Sequence, residues 1–91
     1  GVRLHGLKHD LAIFVVPFGS YYDDEEDVRA KVSSWRRIDD NAIPPRGKIT
    51  GTYVNPALSK SESKLAHFDE AIVLNPDGRI AEASAANLFI I

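Results

Sequence analysis

The sequence of 91 residues contains no cysteine. Disulfides and thiolate metal sites are therefore excluded, and cysteine usage gives no guide to redox compartment. Long apolar runs are missing too. The longest, Leu11 to Phe18, is far too short to span a bilayer, and no amino-terminal charged-then-apolar segment reads as a signal peptide. Basic charge is not in excess: 11 Lys and Arg against 13 Asp and Glu give a formal net charge of -2. The one basic doublet beside an aromatic is Trp35-Arg36-Arg37. Two such charges on an acidic chain cannot supply the several phosphate contacts that non-specific nucleic-acid binding needs. What remains is an ordinary composition, 44% hydrophobic and 26% charged, that fits one small domain with a limited core. A soluble, cytoplasmic protein without nucleic-acid or membrane partners is the expected class.

Both ends read as cut. The chain opens without a start methionine and closes on Leu88-Phe89-Ile90-Ile91, which has the pattern of a strand needing a neighbour. An interior piece of a larger protein is the expectation. Along the chain, Leu11 to Val16 is a β-branched and aromatic run stopped by Pro17 and Gly19, which predicts a buried strand. The acidic run Asp23 to Asp27 is expected in a solvated connecting loop. Lys31 to Trp35 alternates weakly and predicts a short strand, and Asn41 to Gly47, with two prolines and a glycine, predicts a loop. After Tyr53, residues Val54, Ala57, Leu58, Ser61 and Leu65 repeat at helical spacing as an apolar stripe. Thr52 is the expected N-cap, Pro56 must lie in the first turn, and the helix should end near Ala66 or His67. Ala71 to Leu74 and Arg79 to Ala83 flank Asn75-Pro76-Asp77-Gly78, a hairpin with a four-residue loop.

Three side chains carry the chemistry. Lys48 is a lone lysine between Gly47 and Gly51, with the Tyr53 phenol five positions on. Glu82 shares a strand face with Ile80 and Ser84, so an inward Ile80 would bury the carboxylate, at a cost unless a cation meets it. Alone, Glu82 reads as a solvated strand end paired to Arg79 or to nothing, and Lys48 as a surface charge. Gly47-Lys48 is not a phosphate loop, because Ala42 and Ile49 stand where that motif needs glycine and Ser or Thr. Ser61 to Lys64 is an isolated Ser-x-x-Lys match inside a helix. His5, His9 and His67 have no ligand spacing, and the acidic run lacks the alternation of a calcium loop. No metal is expected.

Together, an amine, a phenol and a carboxylate are the groups that pyridoxal phosphate needs. The order of motifs resembles the fold-type IV pyridoxal-phosphate aminotransferases, most closely the branched-chain amino acid aminotransferases. The resemblance is carried by Phe18-Gly19-Ser20-Tyr21, Ser33-Ser34-Trp35-Arg36-Arg37, Ile43-Pro44-Pro45-Arg46-Gly47-Lys48, Gly51-Thr52-Tyr53, Asp69-Glu70 and the segment from Glu82 to Phe89. It runs from about Leu11 to the end of the chain. Ala83 and Ala86 depart from it, standing where the family usually has glycine and glutamate, as does Thr52, where asparagine is frequent.

The resemblance implies an α+β, two-domain fold like that of D-amino acid aminotransferase. Residues 1–17 would end the small domain, 18–29 form the interdomain loop, and 30–91 begin the larger cofactor-binding domain. It implies pyridoxal 5'-phosphate held by Lys48 as a Schiff base, with Glu82 on the pyridine nitrogen, Tyr53 beside the ring oxygen and Arg37 under the cofactor. Phe18, Tyr21 and Tyr53 would line the substrate side-chain pocket. Lys48, freed beside a cationic ring, could have a lowered pKa and act as the base. The implied activity is reversible amino transfer between Leu, Ile or Val and 2-oxoglutarate in a homo-oligomeric enzyme. Its small-molecule partners would be an amino acid and a 2-oxo acid. D-amino acid aminotransferase or aminodeoxychorismate lyase activity are alternatives on the same fold, and a non-catalytic degenerate module is another. The family's phosphate-binding and substrate-carboxylate arginines lie before this chain, so the isolated 91 residues are expected to be inactive.

Overall fold

Pro76 and Gly78 set the sharpest turn. In this computed structural model, which describes residues 1–22 and 27–91, Gly78 adopts φ 87°, a left-handed conformation that costs glycine nothing. Its N–H donates to the Asn75 carbonyl at 2.9 Å, and the Asn75 N–H donates to the Arg79 carbonyl at 2.8 Å. The turn joins two antiparallel strands, β2 (Glu70–Leu74) and β3 (Ile80–Ala83), with Val73 opposite Glu82. β1 (Ala30–Arg36), expected over Lys31 to Trp35, pairs in parallel with β2. A parallel pair needs a long crossover, and helix α1 (Val54–Leu65) supplies it, packed on both strands. The result is an α+β unit: a sheet in the order β1-β2-β3 with one helix against it.

Pro56 falls in the first turn of α1, where no intrahelical partner for its nitrogen is required. Thr52 is not the N-cap. It lies inside a 3-10 turn, Thr50–Tyr53, and its hydroxyl donates back to the Ile49 carbonyl at 2.6 Å. Tyr53 takes the cap position without a side-chain bond. The helix closes at Ala66, as expected. His67, at φ 61°, donates its N–H to Lys64 O while Phe68 N–H reaches Ser63 O, a Schellman closure with histidine in the usual glycine position.

The apolar stripe does not face the core. Val54 and Leu65 remain 62% and 84% exposed, whereas Asn55, Ser59 and Ser63, one helical turn apart from each other, are buried. Small side chains let the helix backbone approach a sheet whose buried apolar residues, Ala71, Val73 and Ala83, are themselves small. Polar anchors then fix the contact. Asn55 Nδ2 donates to Arg36 O at 2.7 Å. The β1 ladder is irregular between Val32 and Arg36, and there Glu62 of α1 accepts from Ser33 Oγ at 2.5 Å and from Ser34 N at 3.0 Å. Hydrogen bonds from Ser33 and then Ser34 hold the Glu62 carboxyl down at about 2.

Leu11 to Val16 is not a buried strand. Leu11, Ile13, Phe14 and Val15 are all more than four-fifths exposed, and the segment joins no ladder among the described residues. A high β-propensity is realised only against a partner strand, and the three strands here pair with one another. Leu88 to Ile91 likewise forms no strand, and Phe89 and Ile90 are 82% and 85% exposed. The acidic run expected as a loop lies outside the described residues, except for Asp27. No helix among the described residues is long and apolar enough to cross a membrane.

Candidate active site

Gly47 shapes the approach to Lys48. A Cβ at that position would sit 3.0 Å from Ile49 Cγ1, tighter than ordinary packing, so the Ile49 side chain would have to shift to admit one. The Gly47 N–H meets Pro44 O at 3.2 Å. The loop then hands Lys48 to the 3-10 turn that ends at Tyr53, and Lys48 Nζ lies 5.7 Å from the Tyr53 ring centroid. Arg37 follows β1, and its N–H extends the pairing with β2 through Leu74 O at 2.8 Å. Its Nε donates to Glu82 Oε1 on β3 at 2.9 Å.

These four side chains come from separate segments and border one cavity of about 410 Å³, with Ser84 and Asn87 on its wall. That volume is in the range of small-ligand pockets. Glu82 is paired to Arg37, and Arg79 pairs instead with its turn neighbour Asp77 at 3.5 Å. The Glu82 side chain keeps 35% of its surface exposed, so the carboxylate is held yet reachable. The Lys48 amine is pushed above its usual value by the Tyr53 hydroxyl, through hydrogen bonding and charge. Partial desolvation opposes this, and the Glu82 charge adds to it. The chain's own groups thus favour the ammonium form.

Phe18 and Tyr21 are not on this cavity's wall. Their rings lie 5.9 Å apart, and Tyr21 meets Tyr22 edge-on at 5.2 Å. Lys60 Nζ stands over Tyr22 at 5.2 Å and over Tyr21 at 6.0 Å. Of the substrate-side residues expected from the sequence, Tyr53 alone borders the cavity.

Glu70, which in sequence is marked only by the Asp69-Glu70 pair, lies at the centre of a buried hydrogen-bond cluster. It is 3% exposed and is the most heavily bonded carboxylate of the described residues. Oε1 accepts from Ala71 N at 2.7 Å, Ser84 N at 3.3 Å and Ser84 Oγ at 2.5 Å. Oε2 accepts from Tyr22 Oη at 2.9 Å and Lys60 Nζ at 2.7 Å. Burial alone would raise this carboxyl, but the hydrogen bonds, those from Lys60 and Ser84 foremost, outweigh it and hold it at about 2. Tyr22 moves the opposite way, to about 12, through burial and its bond to the Glu70 carboxylate. The available signal was an acid at the first position of an apolar strand, where a carboxylate is buried only if donors surround it.

Ala83 sits in β3 with an ordinary negative φ and is 6% exposed, and its N–H donates to Ala86 O at 2.9 Å. The backbone there does not require glycine, so the alanine departs from the motif without strain.

The model of the amino-transferase class IV family matches residues 3–91. A probable branched-chain-amino-acid aminotransferase of Aquifex aeolicus is 54% identical over 89 residues, 98% of this chain and 29% of the relative. The crystal structure of a branched-chain aminotransferase from Thermoproteus uzoniensis with norvaline superposes with a TM-score of 0.71. It is 42% identical, covering 76% of this chain and 23% of that one. That of the branched-chain amino acid aminotransferase from Thermobaculum terrenum, in its PLP holo-form, gives a TM-score of 0.66 at 37% identity, covering 75% and 22%. The chain therefore spans less than a third of the relatives it matches.

Proposed function

The chain belongs to the class IV aminotransferase family, and on that footing we propose that the protein transfers an amino group between branched-chain amino acids and 2-oxoglutarate using pyridoxal 5'-phosphate. The observation that carries the reading is the convergence of Lys48, Tyr53, Arg37 and Glu82 on one cavity. Its donor set suits the cofactor: a primary amine, a phenol beside it, and a half-exposed carboxylate steadied by a guanidinium. The names of the relatives, branched-chain aminotransferases with a PLP form among their structures, support the substrate class and the cofactor. A cytoplasmic homo-oligomer, with residues 1–17, 18–29 and 30–91 divided between small domain, connecting loop and large domain, is part of the same proposal and rests on the resemblance.

Lys48 is the amine that would hold the cofactor, with Glu82 at its ring nitrogen and Tyr53 at its ring oxygen. When bound, pyridoxal phosphate supplies an electron sink for negative charge at the amino acid's α-carbon. Glu82 would face the ring nitrogen as its carboxylate partner, and the Arg37 contact at 2.9 Å aims that carboxylate. Lys48 Nζ moves the proton at the substrate α-carbon, which requires its neutral form. Tyr53 and Glu82 hold the amine protonated in the chain as it stands, so a cation brought into the cavity is what would lower it. Tyr53 tunes this by its place beside the amine.

The test is borohydride reduction of the full-length protein loaded with pyridoxal phosphate, followed by peptide mapping. The expected label is on Lys48. Label on Lys31, Lys60 or Lys64 would overturn the assignment, and failure to convert leucine with 2-oxoglutarate would overturn the substrate class.

A further inference from the structure

The β1 ladder carries two residues more than β2 can match. Val32 stands opposite Ile72, yet Arg36 stands opposite Leu74, so residues 33–35 of β1 share the space beside Val73 alone. A bulge of this kind takes backbone N–H groups out of the ladder, and those groups then need other acceptors. Two side chains provide them. The Ser34 N–H donates to Glu62 Oε2 at 3.0 Å, and the Trp35 N–H donates to Ser33 Oγ at 3.1 Å. Ser33 Oγ in turn donates to Glu62 Oε2 at 2.5 Å, so one carboxylate of α1 fastens the irregular stretch. Pairing resumes with the Arg37 N–H on Leu74 O at 2.8 Å, and Arg37 Nε reaches Glu82 at 2.9 Å. Without the bulge, the register of Ala30 to Val32 would put the Trp35 N–H on Leu74 O. Strand side chains alternate and Trp35 and Arg37 share a face, so the indole would take the guanidinium's place opposite Glu82.

We propose that Glu62 is a positioning residue that holds the β1 bulge and thereby delivers Arg37, in place of Trp35, to Glu82 at the cavity. A two-residue slip keeps every side chain on its own face of the sheet, so hydrophobic patterning alone does not forbid it. An acceptor outside the strand has to choose the register. Glu62 is not on the cavity's wall, so it acts only through β1. Bonds to an ionised acceptor are roughly twice as strong as neutral ones, and here two converge on one oxygen. That Arg37 and Glu82 serve a cofactor rests on the functional reading above; the register does not.

Hydrogen exchange of the full-length, cofactor-free protein, read at single residues by mass spectrometry, tests the register directly. In E62A the Arg37 amide should lose about tenfold or more of its protection relative to the amides of β2, the scale of one lost bond to a charged acceptor. S33A, which takes a hydroxyl from a buried site that alanine fits, should act in the same direction. Titration of pyridoxal phosphate against its visible band should give a Kd raised about threefold or more in E62A. Adding E62A to R37M should raise it no further, since the effect runs through Arg37. Unchanged Arg37 protection in both variants overturns the inference. So does a uniform loss across β1 and β2, which marks Glu62 as a support of the fold alone, or a fully additive effect on R37M. If E62A does not fold, S33A decides. A wild-type protein that develops no cofactor band fails the functional reading instead, and the exchange measurement still decides the register.

Discussion

Replacing Glu70 by glutamine in the full-length protein should destabilise it by an amount that depends on pH. The Glu70 carboxyl is held at about 2 in the folded chain against an ordinary 4.5. At 1.36 kcal/mol per unit, that difference corresponds to about 3 kcal/mol of stability. Lys60 keeps 31% of its side-chain surface exposed, so leaving it without the carboxylate costs less than the roughly 3–5 kcal/mol of a fully buried pair. The folded-state value is depressed, so the contribution is complete above the unfolded value and is lost as pH falls toward the folded one. The window from the cited values is 4.5 down to about 2. E70Q cannot titrate, so the gap between wild type and mutant should be flat from neutral pH to about 5 and narrow by about 1 kcal/mol near pH 3.5. Urea unfolding of the cofactor-free protein across that range measures both. Equal stabilities at neutral pH would refute the buried-charge accounting. A gap that does not narrow in acid would show that glutamine disturbs packing and that ionisation of Glu70 contributes little.

E82Q should keep the fold and lose about 10²-fold or more in turnover, read from steady-state kinetics beside a circular-dichroism control, since an amide cannot hold a ring proton. K48A should abolish borohydride-fixed pyridoxyl label, and labelling elsewhere would remove Lys48 from its role. G78A should cost roughly 1 kcal/mol in a denaturant midpoint, because its φ of 87° is strained for a residue with a Cβ. S63A should be neutral or mildly stabilising by the same measurement, because the buried Ser63 hydroxyl has no hydrogen-bond partner among the described residues.

The local features were legible because they depend on near neighbours in sequence. Asn75-Pro76-Asp77-Gly78 dictates its own turn, since proline presets one dihedral and glycine alone accepts the left-handed one. Pro56 had to fall in a first turn, and Lys31 to Trp35 and Ala71 to Leu74 had the residue types of strands. The residue types of the candidate site came instead from the resemblance carried by the motifs around Lys48, Tyr53 and Glu82. Its arrangement did not. That Glu82 meets Arg37 and not Arg79 follows from β1 and β3 flanking β2, a fact of sheet order. The buried face of α1 is not the one marked by its apolar stripe, although such a stripe usually faces inward. Here α1 packs on β1 and β2 and buries Asn55, Ser59 and Ser63, whose size matters more than their polarity. Leu11 to Val16 has the propensity of a strand, but propensity provides no partner. Glu70 shows the division most sharply. Its sequence neighbours do not say whether a strand's first acid lies in water, and only the fold brings Tyr22, Lys60 and Ser84 around it, so that the carboxylate is buried and still charged.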